Sequence, residues 1–168
     1  MATKAIDVLT ELGNEWSLPN LRNYQAQVRW GSGDFAGAEA TFRQAMDAAR
    51  SDDDLFFVSF ASAHLGMLLV DLERYDEAEA ALDEGELGTN AITRSRMLGA
   101  RARILAARGD PAARPLIDEA LAMTSGWEWP MTRAEALFNA AHVDRAFGHG
   151  AAAESLAREA IALTRGKG

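Results

Sequence analysis

Gly33-Asp34-Phe35-Ala36-Gly37-Ala38, running on through Phe42 to Ala45, is the stretch that decides the fold. It reads as a tight turn followed by an alanine-rich helix, with another helical run just before it. The phrase recurs at Glu73-Arg74-Tyr75, Gly109-Asp110-Pro111 and Gly148-His149-Gly150, at intervals of 40, 36 and 39 residues. A period of this length over helix, turn and helix is the signature of a repeat architecture.

Positions counted from each turn agree in size. Seven residues before it stand Ala26, Gly66, Ala102 and Ala141, all small; five before it stand Val28, Leu68, Ile104 and Val143, all apolar. Five after it come Ala38, Ala78 and Ala153, and twelve after it Ala45, Gly85 and Ala160. The third unit fits with one residue deleted, which supplies Ala113 and Ala120. Nine after the turn come Phe42, Leu82 and Ala157, with Ile117 under the same deletion. Two antiparallel helices approach closely only where small side chains face each other, and larger apolar ones then fill the flanks. Alanine does this at no cost to helix propensity.

The best-matching stretches are Gly33 to Ala45 and Leu65-Gly66 through Tyr75-Asp76-Glu77-Ala78 to Leu82. On these residues the chain resembles the tetratricopeptide repeat family from about residue 19 onward. Its units are longer than that family's ~34 residues, and the early Trp and the Tyr before the turn are absent. Long units of this kind are similar to those of MalT-like and LuxR-type bacterial regulators. The resemblance implies an all-α, right-handed superhelical solenoid of antiparallel helix pairs with about nine helices. One domain is expected over 1–168, with a leading segment at 1–18 and repeats at 19–52, 53–88, 89–128 and 129–168. First helices are predicted at 19–32, 54–72, 91–108 and 131–147, second helices at 35–50, 75–85, 111–124 and 150–165, and an extra helix at 3–13. Asp110 is expected to cap the helix that Pro111 opens, Ser51 with Asp52, Asp53 and Asp54 the helix near Leu55, and Thr132 with Glu135 to form a capping box.

Bulk properties narrow the function. The chain has 168 residues, 48% hydrophobic and 25% charged, as in an ordinary globular protein. A net charge of -8 opposes binding to nucleic-acid phosphates. There is no cysteine, so disulfides and thiolate chemistry are excluded. No apolar run reaches a membrane span, and residues 1–11 hold no signal-peptide core, so a cytoplasmic protein is expected.

Candidate chemistry is thin. Gly31, Gly33 and Gly37 lack the spacing of a phosphate loop, and no strand precedes them. Asp52 to Asp54 lacks the alternation of a calcium loop. His64, His142 and His149 share no zinc-binding spacing. No catalytic triad or paired acid/base carboxylates stand out. No cofactor or metal is expected, and no enzyme. Six arginines crowd the third unit. Arg94, Arg101 and Arg108 form one helical column, and Arg96 with Arg103 lies roughly opposite. Arg101, flanked by Leu98 and Leu105, needs a carboxylate, with Asp118, Glu119 and Asp144 as candidates. These arginines read either as inter-helix salt bridges or as a surface for an acidic partner. Trp127 and Trp129 are expected to plug the space between repeats, as are Trp16 and Trp30.

The resemblance implies that a concave face lined by the first helices binds a protein or an extended, partly acidic peptide. Projected through the register, that face carries Asn23, Gln27, Trp30, His64, Met67, Arg96, Arg103, Asn139, His142 and Arg145. The family's clamp for a terminal carboxylate is not expected, because apart from Arg96 its basic and asparagine positions are unmatched. The alternative is a regulatory or sensor segment of a larger bacterial signalling protein. No nucleic acid or membrane partner is expected, and the uncapped ends leave stacking into a homo-oligomer open.

Overall fold

The computed structural model describes residues 18–126 and 129–165, with side chains from residue 20 onward. The expected helix at 3–13, Trp16 and Trp127 lie outside the described residues. Among those described, the chain is all helical, with eight α-helices and no strand, and consecutive helices pack in pairs as in a helical repeat. None of the described helices is long and apolar enough to cross a membrane. The chain divides into two compact units, meeting at Thr89 and Asn90.

The first unit holds α1 (Leu18–Gly31), α2 (Phe35–Ser51), α3 (Leu55–Asp71) and α4 (Tyr75–Glu84), followed by a 3₁₀ turn at Glu86–Gly88. The second holds α5 (Ala91–Ala107), α6 (Ala113–Met123), α7 (Pro130–Ala146) and α8 (Gly150–Arg165). Helix bounds agree with the predicted ones to within about two residues. One turn geometry closes the first helix of every pair. The amide of Gly33 donates to Trp30 O and that of Asp34 to Arg29 O; the same two bonds recur at Glu73 and Arg74, Gly109 and Asp110, and Gly148 and His149. This is the Schellman arrangement, which requires a left-handed residue just past the helix. Gly33 provides it at φ 85°, whereas between α3 and α4 Glu73 is held at φ 59°, a conformation that costs a side-chain-bearing residue about 1–2 kcal/mol.

The small slots do what their spacing predicts. Ala26, Ala38, Ala45, Ala78, Ala102, Ala113 and Ala120 are all buried, and between them Phe42, Leu68, Leu82, Ile104 and Ile117 fill the core. At Gly66 a β-carbon would stand 2.6 Å from Leu82 Cδ2, so α3 and α4 meet at a distance only glycine tolerates without rearrangement. In the second unit Leu98, Ala102, Ala106, Ala113, Ile117, Ala120, Ala140 and Val143 form one core, so α7 seats on the pair α5/α6.

The caps differ in part from expectation. Asp54 alone caps α3, its Oδ1 accepting from Phe57 N at 3.1 Å, while Ser51 ends α2 and Asp53 takes the left-handed turn conformation at φ 54°. Asp110 accepts from Ala112 N at 2.8 Å, but Pro111 and Ala112 form a turn and α6 starts at Ala113. The capping box at Thr132 and Glu135 does not form. α7 starts two residues earlier, with Pro130 in its first turn, which buries Thr132 and leaves Glu135 to a salt bridge. Trp129 is 65% exposed rather than a plug. Trp30 does pack inward, its ring edge-on to Phe42 with centroids 6.5 Å apart.

Candidate functional site

In the first unit the sequence-derived candidates lie on α1 and α3. Asn23 is buried, and neither its amide nitrogen nor its carbonyl oxygen has a hydrogen-bond partner. Gln27 is half-buried with an unpartnered Nε2. His64 is buried among aromatics: its ring stacks on Phe42 (5.9 Å) and meets Phe60 edge-on (4.8 Å). Its Nδ1 lies 2.8 Å from Phe60 O, which fixes the ring as an Nδ1–H donor to the preceding helical turn. Met67 is half-buried. Asn23 and His64 thus lie inside the packing, and Gln27, Trp30 and Met67 keep partial access.

Ion pairs tie this unit together at its rim. Arg74, in the turn between α3 and α4, bonds Glu39 of α2 and Glu77 of α4. The Arg74 guanidinium holds the Glu39 carboxyl below the usual range, helped by Arg43, and does the same for Glu77. Arg50 of α2 pairs with Asp47 on its own helix and with Glu84 of α4.

In the second unit Arg96 on α5 is satisfied internally. Its Nε donates to Glu135 Oε2 at 2.7 Å and its NH2 to Oε1 at 3.3 Å, a fork joining α5 to α7. Arg94 reaches Glu119 on α6 (3.1 Å), and Arg114 on α6 reaches Asp144 on α7 (3.0 Å). Asp118 also pairs with Arg114, at 3.5 Å, so all three carboxylates named for Arg101 carry a bond to Arg94 or Arg114; Arg101 and Arg103 are half-buried. Asn139 is buried against Gly99, its Oδ1 unpartnered.

His142 and Arg145 are brought together. They line a groove of about 300 Å³ between α7 and α8, with Phe138 and Ala141 on one wall and Ala153, Glu154 and Ala157 on the other. The His142 ring meets Phe138 at 4.6 Å, and its Nδ1 lies 3.5 Å from the Arg145 guanidinium. Phe138 is 49% exposed, an uncommon state for so large an apolar ring. The groove therefore offers an apolar floor, an aromatic wall and charges of both signs. Phe138 and Glu154 were not among the sequence candidates. The available signal was a phenylalanine ten residues before its turn, where the third repeat has Gly99. No cluster of His, Asp or Glu among the described residues is placed to hold a metal ion.

A model of the family described as anaphase-promoting complex subunit 5 matches residues 23–86 and 122–168. These segments make up more than half of the chain, and the chain belongs to that family. The match supports the helical-repeat part of the resemblance and does not extend to bacterial regulators. No curated protein and no solved structure matches the chain.

Proposed function

We propose that this member of the anaphase-promoting complex subunit 5 family is a non-enzymatic protein-binding module, and that the α7/α8 groove is its principal docking face. The single observation that carries the reading is the groove itself, an open apolar trough with the aromatic Phe138 on one wall and Arg145 and Glu154 at its edge. Exposed aromatic and arginine side chains around an apolar trough are the usual anchors of protein interfaces. The family's named member is a subunit of a complex, which supports protein partners.

The repeats are best read as tetratricopeptide-like, on the strength of the four matching turns. Within that reading a helical ligand is favoured over an extended peptide. The neighbouring pair α5/α6 already holds a helix, α7, against the equivalent surface. Arg145, not Arg96, is the cation offered to an acidic group, because Arg96 is engaged by Glu135.

A photo-reactive amino acid at Ala157 tests this, with the same group at the exposed Ala80 on α4 as control. Protein adducts from position 157 and none from position 80 are expected. The absence of any protein adduct from position 157 would refute the reading.

A further inference from the structure

We propose that the occupant of the α7/α8 groove is helix α1 of a second copy of this chain, so that copies associate head to tail. The inference rests on the protein-binding reading of the groove and names its partner.

The repeat register carries it. In the second unit α7 seats on α5/α6: Asn139 lies against Gly99, Arg114 holds Asp144, and Ala140 and Val143 share one core with Leu98, Ala102, Ala106, Ala113, Ile117 and Ala120. Counted from their turns, Leu98 and Ala120 become the core residues Leu137 and Ala160, and the other six receiving positions become Phe138, Ala141, Arg145, Ala153, Glu154 and Ala157 in the last pair. Each of these six lines the groove. The groove therefore corresponds to that helix-receiving surface one repeat further on, with Phe138 where Gly99 admits Asn139, so a helix seated there packs on the ring rather than on the bare backbone.

The inserting positions of α7 correspond in α1 to Tyr24, Gln25, Val28 and Arg29. Tyr24 is 52% and Val28 69% exposed, so the helix that stands first in the described chain shows the apolar stripe its successors bury.

The charges are complementary in the reversed sense. In the filled site Arg114 of the receiving pair holds Asp144 of the seated helix at 3.0 Å. In the open site the receiving residue is Glu154, and the equivalent residue of α1 is Arg29. The first unit shows that a glutamate at this position draws an arginine from the next repeat, since Glu39 binds Arg74. Arg29 already pairs with Asp34 at 3.5 Å, a long and exposed contact. Docking lets Arg29 turn to Glu154 and Asp34 to Arg145, while Tyr24 meets the Phe138 ring as an aromatic pair. The two faces are different, so the contact is heterologous and each copy keeps one free face; association continues beyond the dimer or closes into a ring.

Sedimentation velocity on the full chain, from roughly 1 µM to 1 mM, tests this at the range expected for a weak interface. The mass of the wild-type chain should rise with concentration beyond twice the monomer. Val28→Asp at the exposed α1 stripe and Phe138→Asp at the exposed groove wall should each weaken association more than tenfold. Mixing the two variants should give a one-to-one dimer and nothing larger, because one intact head and one intact tail remain. Arg29→Glu and Glu154→Arg should each weaken association, and the doubly exchanged chain should recover it. A chain that stays monomeric throughout, or that associates equally well with Val28→Asp, overturns the proposal. If such a monomer still gives adducts with a different protein from position 157, the groove binds proteins but not a second copy; with no adduct at all, the protein-binding reading falls too.

Discussion

The small slot at Gly66 makes a prediction whose sign is decided by two competing magnitudes. Replacing an interior helical glycine by alanine normally stabilises by about 0.8–1.0 kcal/mol through helix propensity. Here the new methyl would lie 2.6 Å from Leu82 Cδ2 and 2.7 Å from its Cγ. Leu82 is wholly buried, so its branched end has little room to retreat. Overpacking a core of this kind costs roughly 1–3 kcal/mol, so the balance for Gly66→Ala is a net loss of about 1 kcal/mol. Leu82→Ala alone should cost ~2–5 kcal/mol through the cavity it leaves. In that background the clash is gone, and Gly66→Ala should turn stabilising by up to about 1 kcal/mol. The assay is a double-mutant cycle on urea unfolding followed by helical circular dichroism, with the midpoint and slope fitted for all four chains. A stabilising Gly66→Ala in the wild-type background, or additive effects of the two substitutions, would refute the close approach of α3 and α4.

Further expectations follow from the turns, the ion pairs and the caps. Glu73→Gly should raise stability by up to about 1 kcal/mol, because it relieves a left-handed glutamate, whereas Gly33→Ala should lower it by a similar amount; thermal unfolding of both variants checks the pair. Glu39 and Glu77 have carboxyls held below the usual range by Arg74. Their contribution is therefore present above the unfolded carboxylate value of about 4.3 and lost as pH falls through the lower folded values. The melting-temperature difference between the wild type and Arg74→Ala should shrink as pH drops below that range. Asp54→Ala should cost about 1 kcal/mol through the lost cap on α3, and the amide exchange of Phe57 should rise with it. Glu135→Ala removes the two-bond fork that joins α5 to α7 and should cost roughly 1–3 kcal/mol, with Glu135→Gln intermediate in denaturant midpoint.

The fold was legible because its determinants are local and periodic. Ala26, Ala38, Ala45, Ala102 and Ala113 stand at slots where only small residues let helices approach, and the turns sit at fixed offsets from them. The capping box at Thr132 and Glu135 fails because a Thr-x-x-Glu pattern suits both a cap and a first turn, and Pro130 two residues earlier takes the helix start. Site residues were harder to read. Periodicity placed Asn23, His64 and Asn139 on first helices, but burial depends on what the neighbouring helix brings against them. His64 lies under Phe42 of α2, and Asn139 against Gly99 of α5, contacts that join distant parts of the chain. The arginine column was ambiguous for the same reason. Whether Arg96 faces a ligand or a carboxylate depends on Glu135, 39 residues away, which is a partner no local pattern names. Phe138 was readable in principle, since a large apolar residue stands where the preceding repeat has Gly99.

The most direct test of the account is a nuclear magnetic resonance titration between two variants that cannot self-associate. Isotope-labelled Val28→Asp chain keeps the receiving groove, and unlabelled Phe138→Asp chain keeps the inserting helix. The account predicts saturable amide shifts confined to α7 and α8 around Ala141, His142, Ala153 and Ala157. An unchanged spectrum at millimolar partner, or shifts spread over α2 and α3 instead, would contradict it.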